Sequence, residues 1–274
     1  MTSATKHRRA RRAPTAPPPP VHDLDGMLRR LHLPTVRRLH GELATRAEAE
    51  GMSYYTYLET LIAEEIAHRA ETRITRAVRK ARFPALRTID DFNFTFQSAL
   101  KRQMLGSYLG AELVSEGKSA IFSGPSGTGK SHLSIAIAYR AIQHGYEARF
   151  IGADALIGAL SRAAAKGRLE SALEPYLHPH VLVIDELGYL SHPPDAANVL
   201  YRVINERYLQ RKPMLLTTNK PLAALGDVLH DGDLAEAILD RLLERGVHFA
   251  LRGRSYRTRH LTEEAPPTRR ATSA

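Results

Sequence analysis

The chain has 274 residues, 43% of them apolar, which allows one α/β domain with a smaller appendage and argues against a disordered protein. It has no cysteine, so disulfides, thiolate catalysis and zinc–thiolate sites are excluded. A formal net charge of +10 favours an acidic partner, nucleic acid foremost, because Lys and Arg displace counterions from phosphate backbones.

The basic start MTSATKHRRARRAP is followed by no apolar h-region, so no secretory signal is expected. No window approaches about 18 consecutive apolar residues, so no membrane span is expected and a cytoplasmic protein is the default. Residues 1–22, which include the run APTAPPPP, are expected to form a disordered basic arm, with Lys6, Arg8, Arg9, Arg11 and Arg12 open to a nucleic-acid contact. Residues 23–85 predict a helical N-terminal domain, with Leu and Val at helical spacing and a break at Pro34. SYYTYLETLIAEEIAHRAETRITRAVRKARF predicts one long helix capped by Ser53. Its second half is basic, with Arg69, Arg73, Arg76, Arg79, Lys80 and Arg82 against Glu71 alone. The aromatic, Pro-punctuated stretch ARFPALRTIDDFNF leads into a linker over 86–100.

From 101 to 262 short apolar runs alternate with helical stretches, and 263–274 is expected to be a disordered tail. The predicted strands are SAIFS (119–123), EARFI (147–151), HVLVID (180–185), PMLLTT (213–218) and VHFAL (247–251). This alternation predicts an α/β domain, a mostly parallel sheet covered on both faces.

Between the first strand and the next helix lies Gly124-Pro125-Ser126-Gly127-Thr128-Gly129-Lys130-Ser131, which fits G-x-x-x-x-G-K-[ST]. The glycines let backbone N–H groups converge on a phosphate at a positive helix end. Lys130 is then expected to reach the β- and γ-phosphates, and the Ser131 hydroxyl to ligate Mg²⁺. His132, next along, is grouped with this nucleotide-binding loop but reads as a helix residue rather than as chemistry. VLVIDELGYL puts Asp185 at a strand end, where a buried acid is costly unless it serves a charge, as a Mg²⁺ carboxylate would. Glu186 beside it is placed to polarise an attacking water, which makes hydrolysis the expected reaction.

Asp185-Glu-Leu-Gly188 also fits the D-x-x-G of GTPases, and Asn219-Lys-Pro-Leu222 begins like their N-K-x-D. Leu222 stands where guanine needs a carboxylate acceptor, so ATP is favoured and Asn219 becomes a sensor of the γ-phosphate and water.

The loop, VIDELGYL, TTN and ILDRLLERGVHFALRGRSYR together resemble the IstB-like ATP-binding helper proteins of bacterial insertion sequences, AAA+ ATPases related to the DnaC loaders and DnaA initiators. ARFPALRTIDDFNF is similar to that family's junction between helical part and ATPase core, and the resemblance spans roughly 25–262. It implies a three-layer P-loop NTPase sandwich with strand order 5-1-4-3-2, and nucleotide-dependent homo-oligomers in which one subunit's arginine completes the next subunit's site. Arg241 matches that finger; the alternative for it is an ion pair with Asp240 or Glu244 of its own chain. Arg257 matches a second arginine that senses nucleotide within the subunit, although no helical lid is expected in the TRHLTEEAPPTRRATSA that follows. A helical insertion after the second strand is implied to grip DNA, which nominates Arg162, Lys166 and Arg168. No motif for reading base edges is evident.

The expected function is therefore an ATP- and Mg²⁺-dependent helper of transposition that assembles on duplex DNA and recruits or stimulates a partner transposase. A replicative helicase loader is the alternative with the same core. A small-molecule P-loop kinase is disfavoured by the acid pair, the finger and the basic charge.

Overall fold

Pro34 has no N–H to donate, so it starts a helix more readily than it continues one. Accordingly α1 (Leu24–Arg30) stops before it and α2 (Pro34–Glu50) begins on it, in a computed structural model that describes residues 23–188 and 195–258. The basic arm, the C-terminal tail, and Tyr189 and Leu190 of VIDELGYL lie outside the described residues. Gly51, in a left-handed conformation at φ 64°, closes α2, and the Ser53 hydroxyl accepts the Thr56 N–H at 3.1 Å to cap α3 (Tyr54–Ala81).

The chain divides into two units, one ending at Ala70 and one beginning at Glu71, inside α3. In the first, Leu28, Val36 and Leu61 form a small core flanked by Leu33, Leu39, Leu43 and Tyr57. No side chain of the Leu33 cap serves the first turn of α2. Instead the buried Glu65 carboxylate accepts Thr35 N–H at 2.8 Å and Val36 N–H at 3.2 Å, and Arg69 Nε donates to it at 2.8 Å. Burial alone would raise this carboxyl; the bonds from Arg69, Val36 and Thr35 outweigh it and hold it below the ordinary value of 4.5. A folded value below the unfolded one means that Glu65 stabilises the unit above about pH 4.5 and that this contribution is lost as pH falls through the folded value. Glu65→Ala is expected to cost about 1–3 kcal/mol at neutral pH, read as faster amide hydrogen exchange across α2, and to weaken the acid dependence of that exchange.

In the second unit the five predicted strands form one sheet: β1 (Ser119–Ser123), β2 (Ala148–Gly152), β3 (Val181–Leu187), β4 (Met214–Thr218) and β5 (Gly246–Ala250). Their order is β2-β3-β4-β1-β5, and all four pairings are parallel. Read from the other edge, this is the expected order 5-1-4-3-2. The period of two along each strand sorts side chains between two cores. Ile121, Leu182, Ile184, Met214 and Leu216 face one helical layer; Ala120, Phe122, Val181, Val183 and Leu215 face the other.

The first layer holds α7 (Ala153–Ala164), α8 (Leu169–Leu177), α9 (Ala196–Leu209), α10 (Leu225–Leu229) and α11 (Gly232–Leu243). The second holds α4 (Gly106–Leu109), α5 (Glu112–Ser115) and α6 (Lys130–Gln143), joined by Ile74, Ala77, Val78 and Ala81 of α3. Because those four residues pack into this core, the last turns of α3 belong to the larger unit. The helical insertion after β2 is the α7–α8 pair, separated by a turn in which Gly167 adopts φ 65°.

One buried cation fixes the strands that carry the site. Arg207 of α9 is fully buried and donates to four backbone carbonyls, those of Tyr176, Pro179, His180 and Pro213, at 2.7–2.9 Å. It thereby ties the entry of β3 to the entry of β4, and its burial brings its pKa down to about 9. Among the described residues no helix is long and apolar enough to cross a membrane.

Candidate functional site

All five strands are parallel, so their C-terminal ends gather on one edge of the sheet, where ligands of open α/β folds bind. There β1 runs through the glycine loop into α6. Gly129 caps α6 at φ 98°, and a Cβ on it would lie 2.5 Å from the Phe92 ring, so both backbone and space demand glycine. A Cβ on Gly127, at φ 77°, would meet the Ser255 hydroxyl at 2.0 Å. No side chain caps the first turn of α6, which leaves its N–H groups to a phosphate.

Lys130 projects from that turn and is buried. Its Nζ donates to the Gly124 and Pro125 carbonyls, each at 2.8 Å. Burial pulls the ammonium below the ordinary lysine range; Asp185 and Glu186 pull it up, and Arg257 pushes it down. Ser126, Gly127, Thr128, Gly129, Lys130, Ser131, His132, Asp185, Glu186, Asn219 and Arg257 all line one cleft of about 750 Å³. That volume lies within the range of about 300–1,000 Å³ usual for small-molecule sites. The residues nominated for phosphate, metal, water and sensor therefore converge. Gly124 and Pro125 lie just behind, contributing the carbonyls that hold Lys130.

His132 also borders the cleft, but its Nε2–H is taken by the Thr88 carbonyl at 2.8 Å and its ring meets Phe92 at 5.3 Å between centroids. Burial lowers its pKa, which keeps the imidazole neutral near pH 7. This side chain braces the linker against α6.

The acid pair sits on an irregularity. Ile184 pairs with Leu216 and Leu187 with Thr218, so Asp185 and Glu186 together oppose Thr217 alone. Glu186 adopts φ 61°, uncommon for a residue with a side chain, and is exposed beside the buried Asp185. Asp185 and the Ser131 hydroxyl offer hard oxygen donors. That donor set suits Mg²⁺, which takes one or two protein oxygens, keeps waters and binds substrate phosphates. Among the described residues no cluster of three acids or histidines competes for a metal.

Two flanking segments complete the walls. From the linker, the buried Gln97 donates its amide to the Thr128 carbonyl at 3.2 Å, and Phe92 and Phe96 border the cleft. From the chain after β5, the Tyr256 N–H donates to the Gly127 carbonyl at 2.9 Å, and its ring meets Phe96 at 5.1 Å. The sequence signal for the first segment was its density of aromatics; Gln97 and Thr217 carried none.

Arg241 of α11 does not border this cleft. Neither Asp240 nor Glu244 holds it. Its guanidinium donates to the Tyr201 hydroxyl at 2.8 Å, Asn205 Oδ1 at 3.0 Å and the Ala237 carbonyl at 3.0 Å, and lies 4.7 Å from the Tyr201 ring centroid. Its partners are thus neutral acceptors and an aromatic face, which orient the guanidinium without a carboxylate paired to it among the described residues. Arg162, Lys166 and Arg168 are exposed on and after α7, away from the cleft, and none has an ion pair among the described residues.

The family model described as IstB-like ATP binding protein matches residues 26–264. A protein of Geobacillus stearothermophilus named for ATP binding in insertion sequence IS5376 is 37% identical over 230 residues, covering 84% of this chain and 91% of its own length. The corresponding protein of IS21 from Pseudomonas aeruginosa is 31% identical, covering 92% of this chain and 95% of its own length. Among solved structures, AMPPCP-bound DnaA from Aquifex aeolicus is similar with a TM-score of 0.52 at 22% identity, over 66% of this chain and 55% of that one. DnaI is similar with a TM-score of 0.51 at 17% identity, over 64% and 93%. These structural likenesses show the fold.

Proposed function

We propose that this chain, which belongs to the family of IstB-like ATP-binding proteins, is an ATP-hydrolysing helper of insertion-sequence transposition. It would assemble on duplex DNA and recruit or stimulate a partner transposase. The observation that carries hydrolysis is the convergence of Lys130, Ser131, Asp185, Glu186 and Asn219 on one cleft. The N–H groups of the glycine loop and Lys130 hold the triphosphate. Ser131 and Asp185 would hold Mg²⁺, which would neutralise charge on the phosphates. Glu186 takes a proton from a water whose oxygen attacks the γ-phosphorus; the bond to the β–γ bridging oxygen breaks, and ADP and inorganic phosphate leave. Asn219 orients that water, and Arg257 faces the phosphates from the same subunit. A neighbour's Arg241 stabilises the charge spreading over the γ-phosphoryl oxygens, so turnover follows assembly of a homo-oligomer.

The insertion-sequence names of the relatives favour the transposition role over helicase loading. Duplex DNA is the partner that suits a net charge of +10 and the exposed cations Arg162, Lys166 and Arg168 on and after α7. The test is duplex binding with and without ATP across a salt series. Binding is expected to require ATP and to weaken steeply with salt, while ATP-independent or salt-insensitive binding would count against the proposal. Replacing Arg162, Lys166 and Arg168 by Ala together is expected to reduce the slope of log K against log[salt] by about 3, with little change in sequence preference. An unchanged slope would remove these residues from the interface.

A further inference from the structure

A bulge in a parallel pair is rare, and a glutamate with positive φ inside one is strained, so something must hold the arrangement in place. Two consecutive threonines of β4 do so from across the ladder. The Thr217 hydroxyl donates to Asp185 Oδ1 at 2.6 Å and accepts the Glu186 N–H at 2.9 Å. The Thr218 hydroxyl donates to the Leu187 carbonyl at 2.7 Å and accepts the Lys220 N–H at 3.1 Å. Both threonines are fully buried. The ladder bonds that the extra residue removes are thus replaced by side chains, and Glu186 keeps a backbone partner despite its left-handed turn.

The two threonines do different work. Thr218 binds only main-chain atoms and secures the far end of the bulge. Thr217 alone touches both acids: one bond fixes the carboxylate of Asp185, and the other fixes the backbone from which the Glu186 side chain departs. Its hydroxyl has a single proton, and that proton is given to Asp185. The Glu186 N–H in turn occupies a lone pair of the same oxygen. A change of the Thr217 side-chain rotamer would therefore lose both bonds, and Asp185 keeps its second oxygen, Oδ2, free of that bond and available to a metal.

We propose that Thr217 is a positioning residue that sets the metal carboxylate and the water-activating glutamate in register through one hydroxyl. This rests on the hydrolytic role of Glu186 proposed above. Thr217 does not line the cleft, and acts through Asp185 and Glu186. A strand position with this burial would otherwise favour valine, which has the same shape and suits a buried strand. The hydroxyl is kept for what it binds.

The experiment is steady-state ATP hydrolysis and ATP binding by the full chain carrying Thr217→Val, Thr217→Ser, or Thr217→Val with Glu186→Gln. Thr217→Val is expected to lower kcat about 10- to 100-fold and to raise the Mg²⁺ concentration giving half the maximal rate about 10-fold, as loss of a partner behind a metal ligand does elsewhere. ATP affinity should stay within about 2-fold, because the glycine loop is untouched. Thr217→Ser, which keeps the hydroxyl, should stay within about 3-fold of the parent on both measures. At saturating Mg²⁺ the double variant should be no slower than Glu186→Gln alone, since both changes act on one unit, while it keeps the raised Mg²⁺ requirement of Thr217→Val.

Parent-like kcat and Mg²⁺ dependence in Thr217→Val would overturn the proposal. So would a serine variant as impaired as the valine one, which would mark a packing role. If Thr217→Val fails to fold, the serine variant and Thr217→Ala decide: serine active and alanine impaired supports the hydroxyl, equal activity refutes it. Should Glu186→Gln hydrolyse ATP at the parent rate, the hydrolytic role itself fails, and that outcome is distinct from a silent Thr217→Val beside an inactive Glu186→Gln.

Discussion

Glu186→Gln is expected to bind ATP as the parent does and to hydrolyse it about 10²–10⁴-fold more slowly, the usual contribution of a positioned general base. The substitution keeps size and shape while removing the charge that would accept the water's proton. Glu186 is exposed to the cleft, so its replacement leaves no buried group without a partner. Its backbone N–H remains with Thr217, so the bulge should survive. Quench-flow measurement of phosphate release, beside equilibrium ATP binding, separates the two effects. A parent-like rate would remove Glu186 from the chemistry; loss of ATP binding would make it a binding residue instead.

Arg241→Ala is expected to lower ATP turnover about 10³-fold or more, the scale on which arginine fingers act, while ATP binding by the isolated subunit is preserved. The geometry makes this a sharp test. Arg241 is absent from the cleft of its own subunit, so a direct effect on hydrolysis has to come from another copy. Its removal also frees the Tyr201 hydroxyl and Asn205, both half-buried, and loses the contact with the Tyr201 ring. Some loss of local stability follows, but not loss of the active cleft. Arg241→Lys is informative as a companion: a lysine keeps the charge but cannot offer the planar fork that bonds Tyr201 and Asn205 at once. It should therefore stay closer to the alanine variant than to the parent. Full turnover in Arg241→Ala assemblies would make the arginine a structural residue of the α9–α11 contact.

What the sequence makes legible here is what rests on periodicity and on spacing. The apolar runs located all five strands to within two residues; for β1, β3 and β4, buried nearly throughout, no polar alternation was left to mistake. The glycine loop was readable because a phosphate cradle needs glycines at fixed offsets before a helix. Strand order came from the family resemblance; nothing in the spacing of strands dictates which pairs with which. The bulge at Asp185–Glu186 was hidden, since a register shift is a property of two strands and VLVIDEL alone reads as a plain strand end. Thr217 was hidden with it: in PMLLTT a threonine is simply a good strand former. The linker wall was missed for a related reason. Irregular chain has no period, so ARFPALRTIDDFNF and the residues after it read as a boundary, whereas Phe92, Phe96 and Gln97 wall the cleft. For Arg241, the charges next to it along the chain suggested ion pairs, and the structure gives it instead to Tyr201 and Asn205, on a different helix.

The central claim is that ATP turnover is completed between copies of the chain, with Glu186 from one and Arg241 from the next. It is tested most directly by mixing Glu186→Gln subunits with Arg241→Ala subunits, with ATP, Mg²⁺ and duplex DNA present, and following phosphate release. Each variant alone should be nearly inactive. In the mixture, wherever an Arg241→Ala subunit supplies its intact Glu186 and a Glu186→Gln neighbour supplies its intact Arg241, a complete site is restored, so the mixture is predicted to exceed both variants alone severalfold. A mixture no faster than the average of its two components would contradict the account.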